Sequence, residues 1–375
     1  MSRIGKMFQI AAAAVAVGAS AEVAFSQDVT PAGGHRAQPA PVAPCPVIPY
    51  TPTTPGTSPT TPGTNPTSPT TDPLLEPTPS FGSAQSGAGA GEAIALGGYI
   101  DNARPVTMFR LRADAAYGNN RPDRAEFFYP KCGCFGTPDA KGPGMGVGIE
   151  TNVDYQELLP YFEYAVSPNL SMFVTIPVRF INPTRTANAT GLGDVQFGAK
   201  YAFVNNADRV YSLQAMVTTP SGDGGLGLGA ENWRIEPGLL FLEQLSCRWG
   251  VFGEFKDSIN LSRSSDFTGN VLRYGLGTSY AVAQSDRGYI APVGEVVGWT
   301  VLSGKELRAG MTPAVVSATG DTIVNAKVGV RFGWGGPTAD AQLPSGSDLY
   351  IGYGRALTGE VWYKDMFRVE YRKTF

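Results

Sequence analysis

The fold is most clearly indicated by one stretch near the end of the sequence, Trp362-Tyr363-Lys364-Asp365-Met366-Phe367-Arg368-Val369-Glu370-Tyr371-Arg372-Lys373-Thr374-Phe375. Successive side chains of a β-strand point to opposite faces, and this stretch separates its side chains into two faces in that way. The apolar face carries Tyr363, Phe367, Val369, Tyr371 and Phe375, and the polar face carries Lys364, Arg368, Glu370, Arg372 and Thr374. The pattern predicts a strand between two different solvents. A soluble β-sandwich also uses such strands, so alternation alone leaves both architectures open.

The same alternation recurs from Arg104 onward. We count about twelve segments of roughly 10 to 14 residues, the length that a tilted membrane-spanning strand needs. Short turns near Ser167, Asn205, Gln244 and Ser285 are interleaved with longer loops at 118–154, 182–192, 220–230, 258–267 and 303–319. The sequence therefore predicts an all-β fold over 96–375, a transmembrane antiparallel up-and-down β-barrel of about twelve strands, with both ends in the periplasm.

Two features fit this topology less well. The connection 335–348 is long for the side of the membrane on which it is predicted to lie. Four prolines fall inside predicted strands, where each removes a hydrogen-bond donor from the ladder, namely Pro160, Pro177, Pro237 and Pro292. These prolines keep a second architecture open, a secreted β-sandwich.

The N-terminal quarter has a different composition. Arg3 and Lys6 precede an apolar run from Met7 to Ala19, which predicts a secretory signal peptide over residues 1–26. Residues 27–95 are rich in Pro, Thr and Gly and contain the near repeats 53–59 and 60–66. Such a stretch has too little apolar surface to offset the entropy of ordering it, so a disordered linker is expected. It would serve as an inert tether or contact the cell wall.

Composition argues against several functions. The net charge of -3 does not suggest a nucleic-acid partner. The single histidine, His35, falls in the linker, which excludes a Ser-His nucleophile or a His-ligated metal inside the barrel. Cys132 and Cys134 supply too few ligands for a closed metal site, and their pairing with Cys45 and Cys247 is left open. We therefore predict no catalytic residues, no metal, no cofactor and no enzyme activity.

A family resemblance lies in Gly191-Leu192-Gly193-Asp194-Val195-Gln196-Phe197-Gly198-Ala199-Lys200-Tyr201-Ala202-Phe203, followed by Thr-Pro-Ser-Gly at 219–222 and a glycine-rich loop. This strand-and-turn signature resembles the outer-membrane β-barrel family named after the meta-cleavage pathway of phenol degradation. The likeness covers roughly Leu158 to Phe375. It implies the cell outer membrane as the location and transport of small, often aromatic, compounds as the activity.

The terminal strand also resembles the last strand of bacterial outer-membrane barrels, in which a final aromatic residue belongs to the assembly signal. Lys373 departs from that pattern, because an apolar residue is usual there. The resemblance implies recognition by the barrel assembly machinery through Phe367, Val369, Tyr371 and Phe375.

Site residues are assigned by face. An Arg or Lys on the lipid side would cost about 2 to 4 kcal/mol at the membrane midplane, so charged residues on the polar faces should line the pore. The predicted pore-lining residues are Arg110, Arg112, Asp114, Lys200, Arg234, Glu236, Glu254, Lys256, Arg273, Glu295, Lys327, Arg331, Arg368, Glu370 and Arg372. Their basic surplus predicts a mild preference for anions, unless their ion pairs instead fill a narrow barrel.

The function predicted from these features is a channel or passive transporter for small solutes, including aromatic or anionic compounds. Its expected partners are outer-membrane lipid, the barrel assembly machinery, a small-molecule solute and the cell wall. Two alternatives stay open, a non-conducting structural barrel that anchors the cell envelope through the Pro/Thr-rich tract, and the secreted β-sandwich.

Overall fold

The structure, a computed structural model, describes residues 97–120, 150–184, 187–206, 208–261, 269–285, 288–308, 314–334, 346–359 and 362–375. The predicted signal peptide 1–26, the whole predicted linker 27–95 and the Cys132-Cys134 segment lie outside these ranges. Within them, no helix is long and apolar enough to cross a membrane.

The described residues form seventeen β-strands. They are β1 (Met108–Asn119), β2 (Val153–Ser167), β3 (Leu170–Thr175), β4 (Val178–Pro183), β5 (Ala189–Leu192), β6 (Gln196–Asn205), β7 (Arg209–Thr218), β8 (Arg234–Ser246), β9 (Trp249–Asn260), β10 (Val271–Tyr280), β11 (Ala283–Ser285), β12 (Gly288–Val301), β13 (Lys305–Arg308), β14 (Ala314–Ser317), β15 (Thr322–Trp334), β16 (Ser347–Ala356) and β17 (Asp365–Thr374).

Fifteen of these strands, all except β13 and β14, close into an antiparallel barrel. The barrel has twelve staves, a stave being one strand position around its circumference. Three staves consist of two strands each, namely β3 with β4, β5 with β6, and β10 with β11. The barrel closes because β1 pairs with β2 on one side and with β17 on the other, from Met108 opposite Thr374 to Tyr117 opposite Asp365. The prediction of a barrel of about twelve strands is confirmed, and the β-sandwich alternative is wrong because the long strands form one closed sheet rather than two sheets packed face to face.

Two predicted loops contain regular structure. β5 lies inside the predicted loop 182–192 and extends the stave of β6, since its residues pair with β4. The predicted loop 303–319 contains β13 and β14, which form a separate hairpin. The predicted turn near Gln244 lies slightly later, between Ser246 and Trp249, and Cys247 in that turn is disulfide-bonded. Most of the connection 335–348 lies outside the described residues.

The four prolines are accommodated in different ways. Pro160 and Pro292 lie within the paired lengths of β2 and β12. Pro177 marks the break between β3 and β4, and the pairing of β8 with β9 lapses at Glu236 and Pro237. The barrel therefore contains these residues without losing closure.

The outer surface of the barrel is apolar, and its inside is charged. Aromatic and aliphatic side chains stand out from the staves, as Tyr164 at 62% exposure and Val328 at 59% show. Charged side chains such as Glu370 and Arg331 are fully buried. This is the reverse of a soluble protein and is the pattern of outer-membrane barrels, whose apolar band contacts lipid. The chain is thus an outer-membrane barrel protein.

Candidate functional site

The lumen of the barrel is occupied by residues 97–106, which we call the lumen segment. It leads into β1 at the end of the barrel where the short turns lie. Its side chains Tyr99, Ile100 and Ala103 are buried. Its contacts reach inward-facing residues of strands on several sides of the barrel, so the segment lies inside the ring of staves.

Glu295 on β12 binds the backbone of the lumen segment. The N–H groups of Gly98, Tyr99 and Ile100 all donate to its carboxylate, at 2.9 to 3.2 Å. Hydrogen bonds to a charged acceptor are stronger than those between neutral groups. A Cβ on Gly97 would lie 2.6 Å from Glu295 Oε1, and one on Gly98 would lie 2.1 Å from the ring of Tyr350. The two glycines permit this close approach.

Arginines from the other staves hold the carbonyl groups of the segment. Arg368 Nη1 donates to the Gly98 carbonyl at 2.8 Å, and Arg372 Nη2 donates to the Gly97 carbonyl at 2.9 Å. Further donors to segment carbonyls are Arg331 to Gly97, Arg273 to Tyr99 and Ser212 to Ala103. Side chains of the barrel thus supply hydrogen-bond partners for backbone groups along the segment, as neighbouring strands do in a sheet.

A network of buried ion pairs surrounds the segment. Asp101 of the segment lies 2.5 Å from Lys256 Nζ, which is also 3.2 Å from Glu254. On the adjacent strands β17 and β1, Arg368 binds Asp114 through two nitrogens, at 2.5 and 2.7 Å. Glu370 pairs with several arginines at once, including Arg331 at 3.2 Å and Arg372 at 2.7 Å. Such pairing is what makes buried charge tolerable.

At the opposite end, residues 219–232 fold toward the lumen, and we call them the glycine-rich loop. Asp194 accepts hydrogen bonds from the N–H groups of Gly222 and Ala230, at 2.9 and 2.8 Å. Arg179 donates to the carbonyl of Leu228 at 2.6 Å. The side chain of Leu228 is buried in a cluster with Tyr155 and Ile181. The loop thus narrows the mouth of the barrel.

Inside the barrel lies a cavity of about 300 Å³, lined by Tyr99, Asp101 and Asn102 of the lumen segment and by Asp194, which binds the glycine-rich loop. Nine Arg or Lys side chains and six Asp or Glu side chains line it. Aromatic side chains also line it, among them Tyr99, Trp299, Trp362 and Tyr363. The cavity can therefore contact both the charge and the ring of a small organic molecule.

The structure places all fifteen predicted pore-lining residues on the inside of the barrel. Those that line the cavity are Arg110, Arg112, Asp114, Lys200, Arg234, Glu236, Arg273, Lys327, Arg368 and Arg372. The other five, Glu254, Lys256, Glu295, Arg331 and Glu370, bind the lumen segment or the residues that hold it. The residues of the predicted assembly signal take the outward positions of β17, and Phe375 follows that strand. Their role in assembly stays a prediction.

Sequence reasoning missed the lumen segment and the role of Asp194. The segment has no alternation, so no strand was predicted from it, and Tyr99 and Asp101 were not recognised as lumen residues. The one available signal was the pair Gly97-Gly98 before Tyr99 and Ile100. Two glycines in a row indicate a place where the backbone comes close to other side chains.

Part of the chain matches a known protein family. The family model described as "Putative MetA-pathway of phenol degradation" matches residues 144–289, which confirms the predicted resemblance over that part of the chain. No curated protein matches the sequence.

Several solved structures are similar to the chain. An outer-membrane channel from Pseudomonas putida F1 is 14% identical, with a TM-score of 0.47, over 75% of this chain and 99% of that one. The KdgM porin in complex with disordered oligogalacturonate is 10% identical, with a TM-score of 0.37, over 72% of this chain and 99% of that one. The toluene transporter TodX from Pseudomonas putida is 8% identical, with a TM-score of 0.32, over 78% of this chain and 98% of that one.

Proposed function

We propose that this protein is a passive outer-membrane transporter for small solutes, and that its lumen segment regulates passage. The observation that carries the proposal is the cavity of about 300 Å³ inside a closed barrel with an apolar outer face. A barrel that served only as an anchor would have no need of an internal space of the size of a small-molecule site. The matched family model supports aromatic compounds as cargo.

The lining of the cavity supports a mild preference for anions. Nine cationic side chains against six carboxylates leave a basic surplus at the place where a solute must pass. A cavity with a surplus of one charge sign raises the local concentration of the opposite sign. All fifteen predicted pore-lining residues are part of this proposal, either by lining the cavity or by holding the lumen segment.

The remaining partners and the lack of enzyme activity belong to the same proposal. We assign the outward face to membrane lipid, the terminal strand to the barrel assembly machinery, and residues 27–95 to a tether or a cell-wall contact. The charged residues of the lumen engage one another in ion pairs, which suits a lining that binds and releases solute without covalent chemistry.

One observation favours a second candidate function. The lumen segment and its ion pairs fill much of the barrel interior, as expected of a non-conducting structural barrel anchored through its Pro/Thr-rich tract. In that case, deletion of residues 37–80 should damage the cell envelope more than any change of lumen charge. Loss of solute uptake without envelope damage would favour the transporter.

The two candidates are separated by single-channel recording of the refolded full chain in planar bilayers. A cold-versus-boiled gel shift serves as the check that the barrel has formed. We expect small discrete current steps, with a reversal potential in a salt gradient that indicates anion preference. A barrel that shows the gel shift and carries no current, both as the natural sequence and with Glu295→Gln, would establish the structural role instead.

A further inference from the structure

Lys327 occupies an unusual position in the lumen. Its Nζ lies 3.8 Å from the ring centroid of Tyr99, 5.1 Å from that of Trp299 and 5.8 Å from that of Tyr363. The side chain is only 4% exposed and lines the cavity. An ammonium group over aromatic faces is attracted by their negative π-clouds. The three rings form what we call the aromatic cage.

Six of the other eight cations that line the cavity have a close carboxylate partner. Arg112, Arg179, Lys200, Arg273, Arg368 and Arg372 each lie 2.5 to 3.0 Å from a carboxylate oxygen. Lys327, in contrast, makes no hydrogen bond and no ion pair within the described part of the chain. Its cross-strand neighbour Glu295 is directed to the N–H groups of the lumen segment.

A buried cation without an anion is unfavourable, because the interior does not replace the water that it loses. Aromatic faces compensate only part of that loss, whereas an incoming anion would compensate far more. Glu295 and Asp114 act on Lys327 through space, but their oxygens are bound by the lumen segment and by Arg368. Lys327 Nζ can therefore serve as the anchor for the negative group of a ligand.

The surroundings of Lys327 define the rest of the ligand. Trp299 and Trp362 are in contact, with ring centroids 4.4 Å apart, and both line the cavity. They provide a flat apolar wall against which a ring can stack in an offset or edge-to-face arrangement. A cavity of about 300 Å³ is at the small end of ligand sites, which suits a single ring.

We propose that the aromatic cage is a binding site for a single-ring aromatic carboxylate, with the carboxylate on Lys327 Nζ and the ring against Trp299 and Trp362. The inference rests on the proposed transport function and names the class of solute. Tyr99 belongs to the lumen segment and to the cage, so the occupied site contacts the element that fills the lumen.

Binding of benzoate to the refolded full chain, measured by calorimetry in a detergent without carboxylate groups, tests the site. Benzamide has nearly the same shape without the charge and is the matched probe. We expect benzoate to bind at least tenfold more tightly than benzamide. The substitution Lys327→Met, which keeps most of the side-chain volume, should weaken benzoate binding at least tenfold and leave benzamide binding within about twofold.

The control is Lys364→Met, which removes an exposed lysine and should leave benzoate binding unchanged. If Lys327→Met lacks the gel shift of a folded barrel, Lys327→Arg takes its place and should retain the preference for benzoate over benzamide. Equal binding of benzoate and benzamide to the natural sequence, or no saturable binding of benzoate, would overturn the proposal.

Conductance recorded on the same preparations separates the two proposals. A conducting barrel without preference for benzoate contradicts the aromatic-acid site and leaves the transporter standing. A barrel that binds benzoate and does not conduct supports the site and contradicts passive transport.

Discussion

Glu295 and Asp194 hold two pieces of chain inside the barrel in related ways. Each is a buried carboxylate that accepts hydrogen bonds from backbone N–H groups. Glu295 binds three such groups of the lumen segment, and Asp194 binds two of the glycine-rich loop. The loop is joined to strands at both ends, β7 and β8, whereas the segment is joined to β1 at its C-terminal end and is the first part of the chain that the structure describes.

This difference has a physical consequence. A loop fixed at both ends has few conformations to gain when one contact breaks, because chain connectivity already holds it near its place. The lumen segment depends far more on its contacts. We therefore expect the segment to be the element that moves, and the loop to set the width of the mouth.

The largest effect should come from Glu295→Gln. The substitution removes the charge that three N–H groups share and introduces an amide donor that opposes them. Hydrogen bonds to a charged group are worth about 1.5 to 3 kcal/mol each, so the segment should lose on the order of 3 to 5 kcal/mol of its binding in the lumen. We expect a several-fold rise in single-channel conductance and faster hydrogen exchange at Gly98 and Ile100.

The matched control for that experiment is Glu243→Gln. Glu243 lies near the short-turn end, where its carboxylate binds Arg209 at 3.6 Å and Tyr211 rather than the backbone of the lumen segment. The single-channel conductance of the Glu243→Gln variant should equal that of the natural sequence. Unchanged conductance and exchange in Glu295→Gln would show that the carboxylate does not hold the segment.

A smaller effect is expected from Gly98→Ala. The added Cβ would lie 2.1 Å from the ring of Tyr350, which is fully buried and also packs closely against Gly329 and Gly352. Overpacking of this kind costs about 1 to 3 kcal/mol, part of which the segment can relieve by shifting. Conductance should rise, though less than in Glu295→Gln. The control is Gly359→Ala, where a Cβ meets nothing.

The smallest effect should come from Asp194→Asn. The amide keeps one acceptor oxygen, and the loop remains tied to both strands and to Arg179. We expect a loss of about 1 to 2 kcal/mol, visible as faster hydrogen exchange at Gly222 and Ala230. Conductance should change by less than twofold. A rise as large as that of Glu295→Gln would mean that the glycine-rich loop is the main barrier to passage.

The parts of the molecule that follow local periodicity could be predicted from the sequence. Phe367 and Arg368 point to opposite sides of β17 because neighbouring side chains of a strand always do. The inward positions of the charged residues follow from the same rule. The polar face of each strand could therefore be predicted from the sequence of that strand alone.

The lumen segment could not be predicted in this way. Its bonds to Glu295, Arg368 and Arg372 join residues that are 195 to 275 positions apart in the chain. Those partners come together only when the barrel has closed, so no local pattern carries the information. The role of Asp194 was hidden for a similar reason, since its acceptor function depends on where the glycine-rich loop folds.

The pairing of β1 with β17, which closes the barrel, is linked to the binding of the lumen segment inside it. β17 carries Arg368 and Arg372, which donate to carbonyls of the segment that precedes β1. Closing the barrel around an empty interior would bury both guanidinium groups without those acceptors. Pairing of β17 with β1 is therefore most favourable when the segment already lies in the lumen.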